Sequence, residues 1–346
     1  MNPFEKVSIG NTGVEVTRLG LGGAPLAGMA EFYMYGDGYE NYLNRSFAEA
    51  LEIIQSAYKK GIRYFDTAPL YGTGRSEVRY GRILSQLPRD SFSISTKASR
   101  LLVPKDPDFL DPYSEDGLPN YKVEFDFSAD GLQRSLEASM KRLHLDSTDI
   151  LFLHDSDFFP EDAERNSIEG LTALLKLRDS GVVKAIGMGV NHWETPASMI
   201  KQFDLDIILL AGRYTLLDQT SLTEFMPLCL EQGVKIVVGG PYNSGILARD
   251  LNKPVTFDYE LAPKGLIDKA RRIKAVCDRH QVDLKAAALQ FIIAHPAVAS
   301  IIPGSASVEE LDDNICMAQQ EIPSDLWLDL KNEKLIPDKA PTPFID

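Results

Sequence analysis

The run Gly61-Ile62-Arg63-Tyr64-Phe65-Asp66-Thr67-Ala68-Pro69-Leu70-Tyr71-Gly72 decides how this chain is read. Residues 62–65 form a short β-type run that stops at a carboxylate, Asp66, before Pro69 and Gly72 mark a turn. A carboxylate and the Tyr71 phenol therefore lie on the loop that leaves a strand, where parallel α/β proteins keep their chemistry. Taken alone, the stretch also fits an Asp66 that caps the next helix with Tyr71 packed upon it. The flanking chain decides between the two.

Immediately upstream, Ser46 caps a helix that runs through Ala50, Leu51, Ile54 and Ala57 to Lys60, with Gly61 as its stop. Downstream, a helix is expected over 76–84 and a strand over 92–96 that ends at Lys97. Alternation then continues. Strands are expected at 150–153 (ending at His154), 183–188 (ending near Asn191), 207–211, 235–238 (running into Gly239-Gly240-Pro241) and 299–302. Helices are expected from Ser128 to Leu143, at 171–177, 196–203, 222–230, 265–280 and 284–294, from Ser307 toward Asn314, and near 326–335. At the N-terminus, residues 7–9 and 14–16 flank Gly10-Asn11-Thr12-Gly13 and read as a hairpin, followed by a strand at 18–22. Gly20-Leu21-Gly22 opens like a dinucleotide fingerprint, but its sixth position is Pro25 and no helix begins there, so a Rossmann motif is rejected. Three long stretches carry no sustained period: the aromatic 29–44, the Pro-, Asp- and Tyr-rich 98–127, and 241–264. Loops this long in a compact domain are usually functional or disordered.

The count is eight strands, nearly all followed by helices. Their apolar runs do not alternate with polar residues, as expected of strands buried on both faces. One closed (β/α)8 TIM barrel with an N-terminal β-hairpin and long βα loops is predicted, as a single domain over 1–346. That order brings Asp66, Lys97, His154 and Asn191 to one rim.

Composition bounds the function. The chain has 346 residues, 44% of them hydrophobic and 25% charged, ordinary for a soluble globular protein. The net charge of −14, from 36 basic and 50 acidic residues, argues against nucleic acid or an anionic membrane as partner, without excluding a local basic pocket. Cys229, Cys277 and Cys316 are odd in number and widely spaced, without metal-ligand spacing. They read as reduced thiols, and no metal is expected. No signal peptide or membrane-length apolar run is visible, so a cytoplasmic location is expected.

At the rim the residue types make chemical sense together. A free phenol has a pKa of about 10, too high for ready proton exchange near neutrality. An ammonium within a few ångströms favours the phenolate, and a carboxylate holds that ammonium in place. An imidazole beside them donates to, or orients, a substrate oxygen. Asp66, Tyr71, Lys97 and His154 thus form a proton-transfer set for a hydroxyl or carbonyl, without an activated nucleophile.

The barrel order, Phe65-Asp66-Thr67-Ala68-x-x-Tyr71-Gly72, Ser95-Thr96-Lys97 and Leu153-His154 together resemble the aldo-keto reductases, from the hairpin to about residue 320. The resemblance implies a tetrad: Tyr71 as general acid/base, Lys97 and Asp66 as its tuning pair, and His154 facing the substrate oxygen. It also implies an extended nicotinamide cofactor across the barrel mouth. Ile302-Pro303-Gly304-Ser305-Ala306-Ser307, with Asn314 downstream, looks like the family's adenosine-phosphate segment. Asn191 matches the amide-binding asparagine. The position of the aromatic that often stacks on the nicotinamide falls near Gly239, and that of the strand-six glutamine at Ala211. Glu310 stands where NADPH-preferring members usually carry arginine. NAD is therefore expected over NADP, with NADP possible.

Ala211-Gly212-Arg213-Tyr214-Thr215, Tyr242-Asn243-Ser244-Gly245 and Ser99-Arg100-Leu101-Leu102 are similar to the L-fucose and D-threo-aldose 1-dehydrogenase branch, to which pyridoxal 4-dehydrogenase is also similar. The implied reaction oxidises an anomeric hydroxyl to a lactone. His192-Trp193 and the loops at 98–127 and 241–264 are candidate substrate walls; Trp193 either stacks on a sugar face or packs under a loop. Competing expectations are pyridoxal oxidation, general aldehyde reduction, and a regulatory barrel that binds cofactor without turnover. An oligomer is possible.

Overall fold

The computed structural model describes residues 1–27, 46–105, 116–258 and 260–343. Its strands are β1 (Lys6–Ser8), β2 (Glu15–Thr17), β3 (Leu21–Gly22), β4 (Tyr64–Asp66), β5 (Ser93–Ala98), β6 (Arg100–Pro104), β7 (Tyr121–Phe125), β8 (Ile150–His154), β9 (Ala185–Val190), β10 (Ile207–Ala211), β11 (Lys235–Gly239), β12 (Thr256–Phe257), β13 (Glu260–Leu261) and β14 (Val298–Ile302). The α-helices are α1 (Phe47–Lys60), α2 (Arg75–Leu84), α3 (Ala129–Leu143), α4 (Ala163–Asp179), α5 (Glu194–Met199), α6 (Phe225–Glu231), α7 (Lys264–Arg279), α8 (Leu284–Ile293), α9 (Val308–Gln319) and α10 (Ser324–Asn332).

Eight strands pair in the order β3-β4-β5-β8-β9-β10-β11-β14, every named pair parallel. Bridges between Leu19 and Ile301 and between Gly22 and Gly304 join the first strand to the last, so the sheet closes on itself. The eight are those expected from the sequence, and the architecture is the predicted (β/α)8 barrel. Closure leaves the barrel itself without an edge strand.

The barrel is filled rather than hollow. Tyr64, Ile150, Phe152, Ala185, Ile207, Leu209, Val237 and Ala299 point into one apolar cluster with Ile9, Val14 and Val16. Those last three come from the β1–β2 hairpin region, which thus plugs the end of the barrel where the strands begin. A larger cluster lies between the strands and the outer helices. Helix α1 illustrates how sequence builds it. Ser46 and Glu49 form a reciprocal capping box, Gly61 closes the other end at φ 112°, and Ala50, Ile53, Ile54 and Ala57 are buried on one stripe. Burying each isoleucine contributes roughly 1.5–3 kcal/mol.

The main departure from expectation lies in 98–127, read above as loop. β6 and β7 form an antiparallel ladder of five residue pairs there, Arg100 opposite Phe125 through Pro104 opposite Tyr121. Residues 241–264 likewise hold the short β12–β13 ladder. Helix α4 begins eight residues before the expected Leu171, because its first turns are largely polar and lack the apolar spacing used to find it. The aromatic stretch 29–44 lies outside the described residues. Among the described residues, no helix is long and apolar enough to cross a membrane.

Candidate active site

Parallel register sets the rim. Asp66 ends β4 opposite Ser95, Lys97 on β5 faces Phe152, and His154 ends β8 opposite Gly189. After Asp66 the chain turns tightly through Gly72, Thr73 and Gly74, all at positive φ, before α2 begins. A Cβ on Gly72 would meet the Ala27 side chain at 2.6 Å, so close approach as well as φ requires glycine there. This turn carries Tyr71 back over the barrel mouth.

Lys97 is the centre of the group. Its Nζ donates to Asp66 Oδ2 at 2.8 Å, to Asp66 Oδ1 at 3.0 Å and to the Thr67 carbonyl at 2.8 Å. Both side chains are 1% exposed. The same ammonium lies 4.6 Å from the centre of the Tyr71 ring. Ser95 Oγ donates to Asp66 Oδ1 at 2.7 Å and shares a 3.0 Å hydrogen bond with Tyr64 Oη. Burial pushes the Asp66 carboxyl up, and the Lys97 ammonium and Ser95 hydroxyl pull it back. Tyr64 and Tyr80 are fully buried, and burial together with the Asp66 charge raises both phenols well above their ordinary value. Tyr71 is the tyrosine of this group that lines the cavity.

His154 packs edge-on against Tyr71, with ring centres 6.3 Å apart. It is buried, and burial lowers its pKa to about 3; the charges of Arg100 and Lys97 push the same way, against Asp155. The ring is therefore neutral across the ordinary pH range. Its Nε2 lies 3.4 Å from Asp155 Oδ2, while Nδ1 is buried without a hydrogen-bond partner among the described residues. A carboxylate facing Nε2 favours the tautomer with the proton on that nitrogen.

Asp66, Tyr71, Lys97 and His154 all line one cavity of about 360 Å³. From them it extends past Asn191, along Gly239-Gly240-Pro241 at the end of β11 and Ile302-Pro303-Gly304 at the end of β14, to Glu310 and Asn314 on α9. A Cβ on Gly304 would meet Pro25 Cγ at 2.3 Å, and one on Gly239 would come within 3.3 Å of the Leu209 side chain. The elongated trough with glycine walls fits an extended dinucleotide. Arg249 and Lys285 also line it, placing two cations in a chain of net charge −14. Ser305 is buried beneath the wall, accepting from Asn314 Nδ2 at 3.2 Å. Ser307 caps α9 by accepting from the Glu310 amide.

Of the sequence-predicted substrate walls, the 241–264 loop reaches this cavity through Tyr242, Ser244, Gly245 and Arg249, whereas His192-Trp193 does not. Among the described residues its lining includes neither His192, which is exposed, nor Trp193, whose ring packs 6.4 Å from that of Phe225. Of the two readings open for Trp193, packing is the one the structure places. Gly22, Gly23, Asp155 and Lys285 also line the cavity, and the sequence does not mark them as part of it. Asp155 follows His154 directly and was the easiest to find: a charged residue just past the last residue of a barrel strand.

The Aldo/keto reductase family profile matches residues 20–332. The chain is 39% identical to pyridoxal 4-dehydrogenase of Microbacterium luteolum, over 96% of this chain and 98% of that one. It is 40% identical to D-threo-aldose 1-dehydrogenase of a Pseudomonas species, over 84% and 89%. Its fold is similar to the holo form of aldo-keto reductase AKR11C1 from Bacillus halodurans, with a TM-score of 0.72 at 22% identity and 96% of each chain covered. With a profile spanning most of its length and relatives near 40% identity, the chain belongs to the aldo/keto reductase family and is an NAD(P)-dependent oxidoreductase.

Proposed function

We propose that the protein oxidises the anomeric hydroxyl of an aldose to a lactone, with NAD⁺ rather than NADP⁺. The observation that carries this reading is the position of Lys97 Nζ, bonded to Asp66 on one side and lying beside the Tyr71 ring on the other, at one end of the trough. Tyr71 Oη takes the proton from the sugar hydroxyl as that oxygen becomes the lactone carbonyl. The Lys97 ammonium stabilises the phenolate that then accepts it, and Asp66 keeps the ammonium in place. Neutral His154 donates from Nε2 to the reacting oxygen and holds it toward Tyr71. NAD⁺ bound along the trough supplies the hydride acceptor. Asn191 is suited to its carboxamide and the segment Pro303, Gly304, Ser305 and Ser307 to its adenosine end, with Gly239 leaving room for the ring and Asn314 anchoring the wall.

Glu310 supports the preference for NAD⁺. Its carboxylate reaches back to the Ala306 amide, so the start of α9 is already occupied by a negative charge. A 2′-phosphate meets repulsion there, whereas a ribose 2′-hydroxyl meets an acceptor.

The named activity of the Pseudomonas relative supports an aldose. The Microbacterium relative supports a second substrate, pyridoxal, whose cyclic hemiacetal presents the same kind of hydroxyl on a ring carbon. The test is to mix the protein with NAD⁺ and a panel of aldoses, then pyridoxal, and to follow NADH formation. Turnover on an aldose upholds the first reading and turnover on pyridoxal alone selects the second. Cofactor binding without turnover on either, or on aldehydes with NADH, assigns a binding role instead.

A further inference from the structure

Asp155 has a position that the proton-transfer set does not use. It lies one residue beyond β8, at φ 47°, a backbone conformation that costs a non-glycine residue energy and persists only where neighbours hold it. Its amide donates to the Gly189 carbonyl at 3.0 Å. Its Oδ2 accepts from Arg100 Nη2 at 2.6 Å. Arg100 is 5% exposed and its guanidinium sits over the rings of Phe125, at 4.4 Å, and Phe158, at 5.2 Å. The β6–β7 ladder brings Arg100 and Phe125 opposite one another, so the hairpin is the scaffold that aims the arginine. Asp155 is thus a carboxylate fixed from one side and facing the cavity, with Oδ1 bonded to none of the described residues.

We propose that Asp155 is a specificity-determining residue that accepts a hydrogen bond from the hydroxyl on the carbon next to the reacting one. This inference deepens the aldose reading and rests on it for the identity of the substrate. The chemistry narrows the partner. An ionised carboxylate only accepts. The reacting hydroxyl gives its proton to Tyr71, and a sugar ring oxygen has none to give. With His154 Nε2 on the reacting oxygen and Asp155 Oδ2 3.4 Å from that nitrogen, the nearest remaining donor is the hydroxyl at C2. A site built this way favours vicinal hydroxyls over the same ring lacking one, because the fixed carboxylate would otherwise be desolvated without a partner.

L-fucose and 2-deoxy-L-fucose differ only at O2 and provide the test. For the wild type, Asp155→Asn and Asp155→Leu, kcat/KM with NAD⁺ is measured for both sugars, and calorimetry of the NADH-bound protein, which cannot oxidise the sugar, gives the Kd of each. Melting temperature and NAD⁺ affinity check that the variants fold. The wild type is expected to favour L-fucose by roughly 10- to 100-fold, the value of a hydrogen bond to a charged group. Asp155→Leu brings that ratio close to one, and Asp155→Asn, which keeps an acceptor, falls between. A ratio unchanged in Asp155→Leu overturns the inference. So does an equal loss on both sugars, which would mean that Asp155 acts through His154 alone. If the wild type oxidises neither sugar, L-fucose is not its aldose and the panel decides the aldose reading separately; an Asp155-dependent difference in Kd then still upholds the contact, and no difference overturns it.

Discussion

The Glu310 carboxylate accepts a hydrogen bond from the Ala306 amide, 2.7 Å from Oε2 to nitrogen. Ser307 Oγ in turn accepts from the Glu310 amide, so the start of α9 is satisfied by the chain's own side chains. Removing the charge while keeping the shape separates capping from repulsion. Glu310→Gln is expected to shrink the kinetic preference for NAD⁺ over NADP⁺ by about tenfold, or about 1.4 kcal/mol, and Glu310→Arg to reverse it. Initial rates with both cofactors check this; a wild type that prefers NADP⁺ would refute the assigned role.

The Lys97–Asp66 pair is buried on both sides, so breaking it strands a charge. Lys97→Met is expected to cost roughly 3–5 kcal/mol of stability as well as most of the activity. Adding Asp66→Asn should recover part of the stability and none of the turnover. Urea titration of the two single variants and the double variant measures the coupling; additive losses would show that the two groups do not depend on each other in the folded state.

His154 gives a pH signature of known sign. Its pKa is about 3 in the folded protein against an ordinary 6.5. Below pH 6.5 the unfolded chain takes up a proton that the folded one excludes. The contribution is complete above 6.5 and is lost as pH falls toward 3, by up to about 1.4 kcal/mol per pH unit. His154→Gln should flatten the stability profile between pH 6 and pH 4 by nearly that slope. Denaturation series at pH 6, 5 and 4 on both proteins supply the comparison, and parallel profiles would contradict a buried neutral imidazole.

The rim was legible because three barrel strands are apolar runs ended or followed by a polar residue: Asp66, His154 and, one residue on, Asn191. That pattern needs no tertiary knowledge. The β6–β7 ladder was not legible in the same way. Tyr121-Lys122-Val123-Glu124-Phe125 does alternate between partly buried and exposed positions, but its partner Arg100–Pro104 ends in proline and lies across a long insertion. Pairing at that separation leaves no local mark. Arg100 on β6, Tyr242 and Arg249 on the loop after β11, and Lys285 on α8 reach the site or its support from three separate segments, and only closure of the barrel brings them together. Trp193 stayed open between two readings for the opposite reason. An aromatic beside a rim residue fits a substrate wall by sequence, yet packing on Phe225 takes it into the outer layer.

The most direct measurement is the turnover of Tyr71→Phe set against its affinity for NAD⁺. Deleting one oxygen leaves the ring under the Lys97 ammonium and removes only the proton acceptor. The account predicts that kcat falls by roughly 10²- to 10⁴-fold while the Kd for NAD⁺ stays within a few-fold of wild type, on the oxidised substrate that the panel identifies. Turnover close to that of the wild type would contradict it.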